Sequence, residues 1–175
     1  GVLPETWNVQ HPEVIRESHR RYLEAGSDIV LTNTFGANAL KFHDERRSLK
    51  EIVEAAVGHV KEAVREAGAG REIYTALDVG PTGKLLKPMG DLDFEPAYEA
   101  FREVMVMGEQ AGADLIHIET MSDTYELKAA VLAAKENTSL PVFATAIFDE
   151  RRKLLTGADV SSVVALLEGL RVDAL

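Results

Sequence analysis

A junction in which a helical stretch closes on glycine and runs straight into an apolar segment occurs twice in nearly the same letters: Glu24-Ala25-Gly26-Ser27-Asp28-Ile29-Val30 and Gln110-Ala111-Gly112-Ala113-Asp114-Leu115-Ile116. Glycine suits the left-handed residue that ends a helix. An apolar run without polar alternation is how a strand covered on both faces reads. Four such runs stand at 28–33, 73–79, 114–119 and 142–148, and a fifth begins near Val172. Between them, apolar residues recur every three or four positions over 12–25, 49–67, 94–111 and 123–135. Val14, Ile15, Tyr22 and Leu23 mark the first of these and Ile52, Val53, Ala56, Val60 and Val64 the second. These segments are expected to be amphipathic helices, stopped at Gly26, Gly68 and Gly112 and started near Pro12, Asp123 and Asp159.

Repeated units of helix, glycine, strand and polar loop build either an open doubly wound sheet or a (β/α)8 barrel. No Gly-x-Gly-x-x-Gly follows a strand, which withholds support from a dinucleotide-binding open sheet. Polar residues instead collect at the carboxyl ends of several runs: Thr32-Asn33-Thr34, Asp78, Glu119-Thr120 and Asp149. In a barrel such ends converge on one face around the axis, where active sites lie. The expected fold is therefore α/β, a (β/α)8 TIM-type barrel. That barrel ordinarily takes about 200 to 250 residues, whereas the 175 residues here hold four strands and the start of a fifth. The expectation is an incomplete barrel, with 1–175 as one domain because no shift in composition marks a linker.

Charge and cysteine content narrow the chemistry. Nineteen Lys and Arg against 29 Asp and Glu give a net charge of -10. The longest basic clusters, Glu45-Arg46-Arg47 and Arg151-Arg152-Lys153, are short, so neither nucleic acid nor an anionic membrane is an expected partner. With no cysteine, the chain by itself has no disulfide, thiol nucleophile, thiolate zinc site or iron–sulfur cluster. No apolar run reaches the roughly 18 to 20 residues of a membrane span, and Gly1-Val2-Leu3-Pro4-Glu5 is unlike a signal peptide. The expected location is cytoplasmic. A start at Gly1 and an end at Val172-Asp173-Ala174-Leu175 are what a piece of a longer protein would show.

Glu119 closes an apolar run. At a barrel rim it is placed to bind an ammonium group or move a proton; otherwise it is a loop acid that helps Ser122 and Asp123 cap the next helix. Asp78, in Leu77-Asp78-Val79-Gly80-Pro81-Thr82-Gly83, joins a strand-end acid to a turn whose glycines either shape the turn or let backbone amides approach a ligand. Thr32-Asn33-Thr34-Phe35-Gly36-Ala37-Asn38 offers small hydrogen-bonding groups for a ligand carboxylate, or merely satisfies its own turn. His11, His19, His43, His59 and His117 have no ligand spacing and read as structural or surface residues. Trp7 and Asn8, after an extended Leu3-Pro4-Glu5-Thr6 lead-in, either face a ligand or plug one end of a barrel.

Taken together, Pro4-Glu5-x-Trp-Asn, His11-Pro12-Glu13-Val14-Ile15, Thr32-Asn33-Thr34-Phe35-Gly36-Ala37-Asn38, Asp78-Val79-Gly80-Pro81-Thr82-Gly83, Ile118-Glu119-Thr120-Met121-Ser122-Asp123 and Leu155-Thr156-Gly157, with the two Ala-Gly-x-Asp junctions, resemble the homocysteine S-methyltransferase family in order and across essentially the whole chain. The likeness is closest to the N-terminal homocysteine-binding domain of the cobalamin-dependent methionine synthases. It implies a (β/α)8 barrel binding homocysteine at the carboxyl ends of its strands, here strands two to five and the start of the sixth. Zn2+ would hold the substrate sulfur as thiolate, which takes a methyl group to give methionine. A free thiol with a pKa of about 8.5 is mostly protonated at neutral pH, and metal coordination removes that barrier.

By the same resemblance Glu119 takes the homocysteine ammonium, while Asp78, Thr32, Asn33, Thr34, Phe35 and Thr120 lie near the substrate. The methyl donor would be methylcobalamin or methyltetrahydrofolate with cobalamin on other domains, S-methylmethionine, or betaine. The family's three zinc-binding cysteines and its first-strand motif have no counterpart here, and Glu150-Arg151-Arg152-Lys153 stands where relatives have a glycine. Two further readings stay open: a non-catalytic half-barrel that only binds ligand or a partner, and a barrel lyase or aldolase with Glu119 or Asp78 as base. The last has no strand-end lysine for a Schiff base.

Overall fold

The computed structural model describes residues 3–44, 46–68 and 70–175. Gly1 and Val2 of the lead-in and Glu45 of the basic cluster lie outside the described residues.

After a 3-10 turn (Pro4–Thr6), the chain forms α1 (Trp7–Gln10), α2 (Pro12–Glu24), β1 (Ile29–Leu31), α3 (Leu49–Ala67), β2 (Tyr74–Val79), α4 (Phe94–Ala111), β3 (Leu115–Met121), α5 (Thr124–Asn137), β4 (Val142–Ala146) and α6 (Val160–Gly169). Local chemistry sets the helix limits. The Ser48 hydroxyl accepts from the Glu51 amide at the head of α3, Asp123 from Tyr125 at the head of α5 and Asp159 from Ser162 at the head of α6. Each satisfies an amide that the first helical turn leaves free. Gly68 (φ +51) and Gly112 (φ +95) end α3 and α4 in the left-handed region.

The four strands are parallel and lie in chain order, β1-β2-β3-β4. Each crossover carries a helix, and the helices bury the outward face of the sheet. Leu77, Ile116, Ile118, Val142 and Ala144 join Val53, Val57, Phe101, Met105, Leu127 and Val131 in one core, while Leu23, Val30, Val60 and Ala63 form a smaller second one. At Gly108 α4 lies so close to β2 that a Cβ would stand 2.4 Å from a Leu77 methyl. The opposite face carries Ile29 and Tyr74 toward the strand starts, both exposed, and Asp78, His117 and Glu119 toward the strand ends.

Three local expectations are corrected. The lead-in is helical rather than extended, because Pro4 starts a turn in which the Thr6 amide and hydroxyl both donate to the Leu3 carbonyl. The third strand runs on to Met121, so Glu119 and Thr120 lie inside it, at a register shift between Ile118 and Met121 where Thr120 takes φ +58. The fourth strand stops at Ala146. Asp149 belongs to a turn, where its carboxylate accepts from the Arg151 and Lys153 amides. Near Val172 the strand character amounts to one parallel bridge, Phe143 with Ala174. Among the described residues no helix is long and apolar enough to cross a membrane.

Candidate functional site

Asp78, the penultimate residue of β2, lies in register with His117 of β3, and strand alternation puts Glu119 on the same face as His117, two residues further on. The loop after β1 is stitched to this point by two threonines. The Asp78 amide donates to the Thr32 hydroxyl (3.1 Å), the Thr34 hydroxyl donates to the Asp78 carbonyl (2.7 Å), and the two hydroxyls lie 2.6 Å apart. The backbone of Asp78 is thus satisfied while its carboxyl is not: the residue is 7% exposed and Oδ1 has no hydrogen-bond partner. Burial, then the charges of Glu119 and Glu5, push this carboxyl up to about 8. A buried acid without a partner, held beside other acids, is suited to accept a hydrogen bond from a cationic group.

The other residues singled out from the sequence divide. Phe35 is partly exposed, its ring lies 5.4 Å beneath the Lys41 ammonium, and a Cβ on Gly80 would meet that ring at 2.6 Å. The Thr120 amide donates to the Thr145 hydroxyl (3.0 Å), tying the β3 irregularity to β4. Asn33 turns toward the lead-in, where its side chain donates to the Pro4 carbonyl (3.0 Å) and to Asn8 Oδ1 (3.2 Å), and its carbonyl accepts from Asn8 (2.8 Å). Asn8 is accordingly buried, whereas Trp7 is exposed and packs edge-on against His11. Burial lowers the pKa of His117 against the opposing effect of Glu119. Burial, then the charge of His59, brings His19 down to about 4.

Three charged residues near the site were not singled out from the sequence. Glu5 is 3% exposed; its Oε1 accepts from the Gly36 amide at 2.5 Å and its Oε2 has no partner. Glu126 on α5 is buried and accepts from both the amide (2.7 Å) and the hydroxyl (2.5 Å) of Thr82. Its pKa is raised by burial, which outweighs those bonds. Lys41 is half-buried and lowered by that burial, with Glu126 and Glu5 acting against the shift. Helical spacing offered a signal for Glu126, which falls on the same face of α5 as Ala130 and Ala133. For Glu5 and Lys41 nothing local distinguishes a buried charge from a solvated one.

Among the described residues no three of His, Cys, Asp and Glu are grouped to hold a metal, and the whole chain lacks cysteine. A cleft of about 370 Å³ runs along the free edge of β1 past His19 and Tyr22. It shares Thr32 and Asn33 with the site but none of its carboxylates.

A family model described as homocysteine S-methyltransferase matches residues 3–175. The methionine synthase of Mycobacterium tuberculosis (strain ATCC 25618 / H37Rv) is 30% identical over 177 aligned positions, covering 97% of this chain and 15% of that protein. The methionine synthase of Mycobacterium leprae (strain TN) is 29% identical over the same shares. The chain thus spans about a seventh of the length of these relatives. Among solved structures, the homocysteine methyltransferase MmuM from Escherichia coli superposes in its metallated form with a TM-score of 0.83 at 23% identity, over 98% of this chain and 65% of that one. Its apo form gives 0.77 at 24%. The carboxyl transferase domain of Rhizobium etli pyruvate carboxylase gives 0.59 at 17% identity, over 93% of this chain and 23% of that one.

Proposed function

The chain belongs to the homocysteine S-methyltransferase family, and from that premise we propose that its strand-end face binds the amino-acid part of homocysteine, with Asp78 and Glu119 receiving the ammonium. In the whole protein the bound substrate would be methylated at sulfur to give methionine. The observation that carries the proposal is the buried, unpartnered Oδ1 of Asp78 with Glu119 close enough to influence it. Two acids held this way do not both ionise in the absence of ligand, so Asp78 keeps its proton; an ammonium arriving between them favours the ionised carboxyl and supplies the missing hydrogen bond. Thr32 and Thr34 hold the Asp78 backbone, and Phe35, in the loop after β1, and Thr120, beside Glu119 in β3, would contribute to the same face. The four-stranded sheet, residues 1–175 being one domain, would then be the central part of a (β/α)8 barrel. The fold likeness to MmuM over nearly the whole of this chain supports that reading.

The Zn2+ that the family implies does not fit the residues present: the chain has no cysteine and, among its described residues, no grouped set of three other donors. What this chain's own residues supply is the binding and orientation of the substrate backbone. The same observation favours a second reading, in which the chain on its own binds ligand, or a partner, without turning it over.

Calorimetry separates the amino-acid site from its absence. Homocysteine is expected to bind saturably, and 4-mercaptobutyrate, which lacks the amine, is not. Asp78→Asn and Glu119→Gln should each weaken homocysteine by about ten- to a hundredfold, the range of a charge-assisted hydrogen bond. Equal binding of both compounds, or no effect of either substitution, would overturn the assignment.

A further inference from the structure

We infer that the helical lead-in clamps the loop after β1, and that Glu5 is its positioning residue, setting the orientation of the Phe35–Gly36 peptide beside the ligand. This deepens the amino-acid reading above and rests on it for its functional meaning. The lead-in reaches the loop through four hydrogen bonds: Asn33 to the Pro4 carbonyl, Asn33 to Asn8 Oδ1, Asn8 to the Asn33 carbonyl, and the Gly36 amide to Glu5 Oε1. The first three fix Asn33. The last acts on the peptide next to the site, whose other end is also held, since the Phe35 carbonyl accepts from the Gly80 amide at 3.1 Å. A peptide unit tied at both its carbonyl and its amide has one orientation left.

The surroundings of Glu5 are built for this contact. A Cβ on residue 36 would stand 2.8 Å from Oε1 and 3.2 Å from the carboxyl carbon, so glycine is what lets the carboxylate come this close. Glu5 is 3% exposed and leaves Oε2 without a partner, a costly arrangement for an acid. It persists where the bond it does make is short and charge-assisted, and so about twice as strong as a neutral one. Lys41 completes the hold. Its ammonium lies 5.4 Å over the Phe35 ring and so holds the ring beside the peptide that Glu5 bonds.

The experiment uses the 175-residue chain with Glu5→Gln, which keeps an acceptor oxygen for the Gly36 amide, and Glu5→Ala, which removes it. Two quantities are read: hydrogen exchange at the Gly36 amide by NMR, and homocysteine affinity by calorimetry. Glu5→Ala is expected to speed exchange at Gly36 and to weaken homocysteine, each by about tenfold or more, with Glu5→Gln, whose neutral oxygen makes the weaker bond, between it and the parent in both. Gly36→Ala, which pushes the carboxylate away while leaving Glu5 in place, should reproduce Glu5→Ala and serves if that variant does not fold. Ile52→Val, in the interior of α3, provides the change that a general loss of stability makes. Unchanged exchange and affinity in Glu5→Ala would overturn the clamp. So would a Glu5→Gln variant as impaired as Glu5→Ala, which would assign the effect to charge rather than to the bond. If the parent fails to bind homocysteine while Gly36 exchange still follows this pattern, the amino-acid reading has failed and the clamp stands.

Discussion

Asp78 carries the sharpest pH dependence in the proposed site. With the folded carboxyl pushed up to about 8 from an ordinary value of about 4, the folded chain holds a proton that the unfolded chain has released. Stability is therefore expected to fall as pH rises between those two values and to level off above the higher one, by roughly a few kcal/mol at most. Urea midpoints measured from about pH 6.5 to 8.5, above the range in which His19 titrates in the opposite sense, should show that slope, and Asp78→Asn should flatten it. An ammonium ligand acts in the opposite sense, because it favours the ionised carboxyl, so binding below pH 8 should release close to one proton. A slope that survives Asp78→Asn would place the titration elsewhere. Asp78 and Glu119 were legible in the sequence because a polar residue at the end of an apolar run is conspicuous. Glu5 was not, because the amide that bonds its carboxylate is 31 residues away in sequence; Glu126 had a signal in its helical spacing, but its partner Thr82 is 44 residues away.

At the scale of elements, legibility followed the range of the forces involved. The ends of α3 and α4 are marked by Ser48, Gly68 and Gly112, all local signals, and agree with the sequence reading. The end of β3 is not readable locally, because its irregularity is tied to Thr145, on a strand 25 residues away. The helical lead-in leaves no pattern in the sequence, because a 3-10 turn and a four-residue helix have no period to display. Two helix glycines make the same distinction experimentally. In α3 a Cβ on Gly58 meets nothing within 4 Å, so Gly58→Ala should raise stability by about 0.5–1 kcal/mol. In α4 a Cβ on Gly108 meets the Leu77 methyls at 2.4 and 2.7 Å, so Gly108→Ala should lower it by about 1–3 kcal/mol despite the same gain in helix propensity. Thermal midpoints moving in the same direction would refute the close packing of α4 on β2.

For the molecule as a whole, cysteine content makes a direct prediction. Incubated with zinc and then dialysed, the 175-residue chain should retain none in stoichiometric amount by metal analysis, and one tightly held zinc per chain would show that other donors assemble a site. Parallel strands in chain order and a helical crossover between each pair were readable from periodicity alone, since each unit repeats the same local pattern. How the units share their cores was not readable, because it depends on which side chains interdigitate. That sharing is uneven: β1 and α2 pack on the four-residue core of Leu23, Val30, Val60 and Ala63, while β2, β3, β4 and their helices pack on the large one. An assembly whose parts contact chiefly their neighbours can open in sections rather than all at once, and the β1–α2 section has the least to hold it shut. The threonine loop belongs to that section and the carboxylates to the rest, so a ligand bound as proposed would brace the joint, and partial opening should be suppressed as its concentration rises.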